Sequence, residues 1–141
     1  MRQPRLQGFE ALRRLELPQH DYAIFGSGPL IVRGIVGMGN DIDVVCRGHA
    51  WELVKAKGEV RYLEQYDVDI VEIDVGSLSF GTQWGIGDFD IDELIDTAEE
   101  IAGLPFVRLE HVVAYKRIAN RAKDIAHLQA LEAWLEKNVL R

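Results

Sequence analysis

Two periods of apolar and polar positions run along this chain, and the changes between them mark its elements. At 41–47 (DIDVVCR) the period is two: Ile42, Val44 and Cys46 fall on one side, and Asp41, Asp43, Val45 and Arg47 on the other. That is a strand with one face in a core, and Cys46 reads as a packed thiol. Residues 21–25 (DYAIF), 59–64 and 68–75 (VDIVEIDV) read as further strands, the last two paired, with Leu78–Phe80 as a short edge strand. A helical period covers 8–16 and stops before Pro18; another covers His49–Lys57 and stops at Gly58. Pro29 opens a helix over 29–34 with Ser27 or Gly28 at its N-cap. Asp90 caps a helix from Ile91 to Ala102, with Glu93 completing a capping box and Gly103 as terminator. Residues 109–137 are helical with a break near Asn120, and the glycine-rich stretches 34–40 and 76–89 are loops.

Strands in the first half and helices at both ends predict an α/β (α+β) sandwich. Its small mixed sheet is flanked by helices, and a long helical segment closes the chain. At 141 residues, one domain spanning 1–141 is expected.

Composition narrows the function classes. Sixteen Lys and Arg against 23 Asp and Glu leave a net charge of −7, which argues against a protein that coats DNA or an anionic membrane. No apolar run approaches the roughly 18 residues of a membrane span. The stretch MRQPRLQGFEALRR lacks a signal-peptide core, so the expected location is the cytoplasm. The charge is also segregated: residues 62–107 hold twelve acids and no Lys or Arg, whereas 108–141 hold seven Lys and Arg and four acids. An acidic middle of this kind must face solvent, the basic ends or bound cations.

The candidate site lies where two features meet. Asp41 and Asp43 project in parallel from one strand, about 6.6 Å apart along it. Two ionised carboxylates about 5 Å apart repel by roughly 3 kcal/mol at an effective dielectric of 20. Water, protonation or a divalent cation must relieve that, and Mg2+ takes oxygen ligands of this type. Just upstream, a strand runs into Gly26-Ser27 and a helix start, an arrangement suited to anions. A dinucleotide fingerprint from Gly26 would need glycine where Ile31 stands, and no G-K-[ST] of a Walker loop occurs.

Phe25-Gly26-Ser27, thirteen residues, then Asp41-Ile42-Asp43-Val44 resembles the signature of the DNA polymerase β-like nucleotidyltransferase superfamily. The resemblance implies a third carboxylate from a following strand: Glu72 first, with Asp74, on the same face, as the alternative. It implies that Asp41, Asp43 and this third acid hold two Mg2+ ions (Mn2+ in their place is possible) and act on an NTP. Further on, GLPFVR at 103–108, Leu109-Glu110, Lys116, Arg121, Lys123 and Asp124 are similar to the tail of small prokaryotic nucleotidyltransferases, including abortive-infection and toxin–antitoxin groups. His127 departs from that tail, where an acid is expected.

The expected activity is transfer of an NMP group to an acceptor with release of pyrophosphate. Gly26 and Ser27 would position the β- and γ-phosphates, and Lys116 and Lys123 would meet the phosphate charge. On an uninterrupted helix wheel Asn120, Lys123 and His127 lie within about 40° of Lys116, a polar patch opening onto a cleft. The acceptor is open: a protein, a small molecule or tRNA, with a partner protein or a second copy supplying its site. The rival expectation is a non-catalytic nucleotide-binding or toxin–antitoxin-type partner module.

Overall fold

The computed structural model describes residues 4–37, 39, 41–73 and 77–139. Seven strands form one sheet in the order β3-β4-β5-β2-β1-β7-β6. They are β1 Tyr22–Ile24, β2 Ile42–Cys46, β3 Val60–Leu63, β4 Val68–Ile73, β5 Leu78–Gly81, β6 Glu99–Ile101 and β7 Leu104–Phe106. The sheet is mixed: β2 runs antiparallel to β1 but parallel to β5, and β1 runs parallel to β7. Among the described residues six α-helices accompany it: α1 Pro4–Arg14, α2 Gly28–Val32, α3 Gly48–Lys55, α4 Ile91–Asp96, α5 Leu109–Ala119 and α6 Ala122–Val139.

The two-fold alternation of β1 and β2 feeds two cores. Tyr22, Ile24, Ile42, Val44 and Cys46 pack with Phe9 and Leu12 of α1 and Ala50 and Val54 of α3. On the opposite face Ala23, Phe25 and Val45 pack with Leu94 of α4, Val112 and Tyr115 of α5, and Leu131 of α6. Asp43 shares the parity of Val45, so it points toward the second helical layer. Cys46 is fully buried, and burial pushes its thiol up to about 12.

Three expectations need correction. The helix opened by Asp90 ends at Asp96, and 99–106 form the β6–β7 hairpin instead. Ala98, Ile101 and Ala102 happen to continue the helical spacing, but Thr97 turns its hydroxyl back onto the Glu93 carbonyl. Ala102 and Gly103 then take left-handed φ values of 54° and 81°, the two-residue connection that suits a hairpin. The second correction is β5, which lies inside the sheet between β2 and β4, with Leu78 and Phe80 buried. The third concerns the polar helical stripe. Asn120 adopts a left-handed conformation (φ 49°, ψ 35°), so α5 and α6 are separate helices and the wheel does not run through.

The acidic middle third is partly neutralised by distant arginines. Arg47 bonds Asp92 at 2.8 Å and Asp96 at 2.7 Å, and Arg33 bonds Glu99 at 2.6 Å. Among the described residues, no helix is long and apolar enough to cross a membrane.

Candidate active site

Helices α4–α6 cover only part of one sheet face, and the remainder is the floor of a cleft of about 630 Å3. Strand β2 brings Asp43 to its head, with Asp41 immediately before the strand. Register extends the row: Asp43 lies opposite Ser79 of β5, and Ser79 lies opposite Glu72 of β4. With about 4.8 Å between neighbouring strands, the backbones of Asp43 and Glu72 are about 10 Å apart on the same face.

The turn after β1 is built against Asp43. Gly26 has φ +57°, and a β-carbon there would lie 2.7 Å from Asp43 Oδ2. Only glycine fits both the left-handed backbone and the carboxylate above it. Ser27 follows as the N-cap of α2 and lines the cleft. The Gly28 amide bonds the Phe25 carbonyl and the Leu30 amide bonds the Ser27 carbonyl. Those two amides are committed to the turn.

Behind Ser27 stands a buried ion pair. Lys116 Nζ donates to Ser27 Oγ at 3.1 Å and to Asp124 Oδ1 at 3.2 Å, and both ionic residues are fully buried. Arg121 adds its backbone N–H and two guanidinium N–H donors to Asp124, at 3.1, 2.6 and 3.1 Å. Burial alone would raise the Asp124 carboxyl, but the Arg121 and Lys116 hydrogen bonds overcome this and hold it at about 2. Burial pulls Lys116 below the ordinary lysine value, opposed by Asp124. The left-handed Asn120 makes this possible, since the turn it creates returns Asp124 toward Lys116.

Lys116 therefore reaches the cleft through Ser27, whereas Lys123, Arg121 and His127 line its wall directly. His127 Nδ1 lies 3.4 Å from Ser27 Oγ. Burial, then the positive charges of Lys116 and Lys123, lower its pKa. The sequence gives no phosphate role to His127 or Arg121 on its own; their place depends on how α6 docks.

Facing this cationic wall, Asp43 is itself perturbed. Burial first, and the charge of Asp41 second, push its carboxyl up to about 6. A negative pair, half-buried at Asp43 and exposed at Asp41, is what a divalent cation would relieve, so Asp41 and Asp43 fit the oxygen donor set of Mg2+. Glu72 is ion-paired with Arg61 of β3. Among the described residues, no three His, Cys, Asp or Glu side chains are grouped to hold a metal. Asp74 lies outside the described residues.

One solved structure bears on this arrangement: the crystal structure of a Thermotoga maritima protein proposed to be a nucleotidyltransferase. It superposes with a TM-score of 0.53 over 92% of each chain, at 15% sequence identity. The chain has a nucleotidyltransferase-like fold. No family model and no curated protein matches the sequence. The nucleotidyltransferase-like fold accommodates the mixed sheet, the flanking helices and the C-terminal helix together.

Proposed function

We propose that this protein transfers a nucleotidyl group from an NTP to a hydroxyl-bearing acceptor. The observation that carries this reading is that Asp41 and Asp43 line one cleft together with Ser27, Arg121, Lys123 and His127, within a nucleotidyltransferase-like fold. A polyphosphate with its countercation is the ligand that satisfies both sets of residues.

Asp41 and Asp43 would hold Mg2+, or Mn2+, with Glu72 or Asp74 as a further ligand for a two-ion site. Bound there, the ions would neutralise charge on the phosphates and sharpen the electrophile. Ser27 donates its hydroxyl proton to the β- or γ-phosphate, since Lys116 occupies its oxygen as a donor. Lys123 and Arg121 offset negative charge that shifts onto the leaving pyrophosphate. The acceptor oxygen attacks the α-phosphorus in line, the bond to pyrophosphate breaks, and the acceptor proton passes to a carboxylate, a role we assign to Glu72 on release from Arg61.

The test uses NTPs labelled at either the α- or the γ-phosphate, incubated with Mg2+ and a host extract. Label should leave the α position and appear on an acceptor, and Asp41→Ala and Asp43→Ala should each abolish it. Transfer from the γ position, or full activity in both variants, would overturn the assignment. The Arg61–Glu72 pair favours one second reading, a nucleotide-binding module without turnover. Tight NTP binding with no pyrophosphate release across protein, small-molecule and tRNA acceptors would select it.

A further inference from the structure

His127 differs from the cations around it, because its hydrogen-bonding sense can reverse. Lys116, Lys123 and Arg121 only donate, whereas a neutral imidazole donates from one nitrogen and accepts at the other. Nδ1 of His127 lies 3.4 Å from Ser27 Oγ, which also accepts from Lys116 Nζ at 3.1 Å. The Tyr115 hydroxyl bonds the Ser27 side chain as well. A serine hydroxyl accepts two hydrogen bonds and donates one. With hydrogen on Nε2 of His127, Nδ1 accepts the Ser27 proton and turns it into the wall. With hydrogen on Nδ1, Lys116 and His127 fill both accepting positions of Oγ, and the Ser27 proton goes to another acceptor. A phosphate oxygen outcompetes the neutral Tyr115 hydroxyl for it, because the phosphate is ionised.

The surroundings decide which state the ring holds. Lys116 of α5, Arg121 of the turn, and Lys123 and Asp124 of α6 are the charged groups that act on it. On the α2 side it meets Ser27, and Asp41 and Asp43 line the same cleft. Asp124 is already bonded to Lys116 and Arg121. Burial first, then the charges of Lys116 and Lys123, favour the neutral ring. A polyphosphate in the cleft reverses that balance, since its negative charge favours the imidazolium. The imidazolium carries hydrogen on both nitrogens, so Nδ1 becomes a donor whichever tautomer preceded it.

We propose that His127 is a positioning residue of the phosphate site: it takes up a proton as the polyphosphate binds and, donating from Nδ1, turns the Ser27 hydroxyl onto a phosphate oxygen. The proposal rests on the nucleotidyl-transfer reading and adds a proton from solvent to the binding step. The acid expected at this position would act in the opposite sense, because an ionised carboxylate only accepts and would hold the Ser27 proton in the wall.

NMR titration of the imidazole Cε1–H signals of the full chain, with and without inorganic tripolyphosphate in Mg2+, tests the proton. The His127 signal is the one missing from His127→Asn. Its midpoint should rise by about one pH unit or more when tripolyphosphate saturates the cleft, a ten-fold preference of the ligand for the protonated ring. Calorimetry tests the route through Ser27. His127→Phe should weaken tripolyphosphate about ten-fold, and His127→Asn, whose carboxamide still donates, should restore most of that affinity. In a Ser27→Ala background His127→Phe should cost about two-fold or less. A midpoint unmoved or lowered by the ligand overturns the proton uptake. No loss in His127→Phe, or the same loss with Ser27→Ala, overturns positioning through Ser27; both results leave the phosphate site standing. Wild type that binds no tripolyphosphate overturns the role of His127, while label transfer from the α-phosphate judges the nucleotidyl-transfer reading separately.

Discussion

The α-carbon of Gly26 sits against the carboxylate of Asp43, leaving no space for a side chain: a β-carbon would come within 2.7 Å of Oδ2. Gly26→Ala must adopt a left-handed φ, costing about 1–2 kcal/mol, and must also displace the Asp43 carboxyl. We expect a thermal midpoint lower by several degrees and at least a ten-fold loss of Mg2+-dependent NTP transfer. A variant with wild-type melting and transfer would show that the turn does not brace the carboxylate.

Asp43 makes the cation-free protein less stable as pH rises. Its carboxyl moves from an ordinary 3.8 to about 6, so the folded state holds this proton more tightly than the unfolded one. The contribution is fully present below about pH 4, is lost between pH 4 and 6, and amounts to about 3 kcal/mol. Asp43→Asn should therefore melt higher than wild type at pH 7 without divalent ions, with a flatter profile between pH 4 and 6. Added Mg2+ should stabilise wild type and leave Asp43→Asn unmoved.

Asp124 has the opposite sign. Held at about 2, it stabilises the fold above pH 4, and that contribution is lost as pH falls toward 2. Asp124→Asn strips the counter-charge from the fully buried Lys116, and should cost about 3–5 kcal/mol in denaturant titrations. The double variant Lys116→Met/Asp124→Leu should cost less than Asp124→Asn alone, because no buried charge is left unpaired: Arg121, which also loses Asp124, is 43% exposed and stays solvated. Additive losses would mean the two residues do not interact.

Cys46 should be silent to thiol reagents. Burial first, and the charge of Asp21 second, push it up to about 12, and the thiolate is the reactive form. A chromogenic disulfide reagent should label it only as the protein unfolds, at a rate that rises with denaturant. Rapid labelling of the native protein would show that β2 opens.

Legibility in the sequence followed the range of each interaction. β2 with its parity, the Gly26-Ser27 turn and the break at Asn120 could all be read, because strand alternation, glycine conformation and helix propensity act within a few residues. The β6–β7 hairpin could not: Ile101 and Ala102 fit a helix as well as a strand, and pairing with 104–106 decided the matter. The interior position of β5 also escaped, since four residues in a glycine-rich stretch carry little pattern, and two neighbouring strands select their place.

By itself the sequence determined an α/β chain with two acids projecting from one strand beside a tight turn, since those depend on backbone sterics and side-chain alternation. Tertiary structure alone decided that Lys116 lies buried under Ser27, that Arg121 and His127 join the wall, and that Arg61 captures Glu72. Each of these joins residues far apart in the chain or on separate elements. Their meeting depends on how helices dock and strands order, which burial of two opposed cores governs and no local pattern encodes.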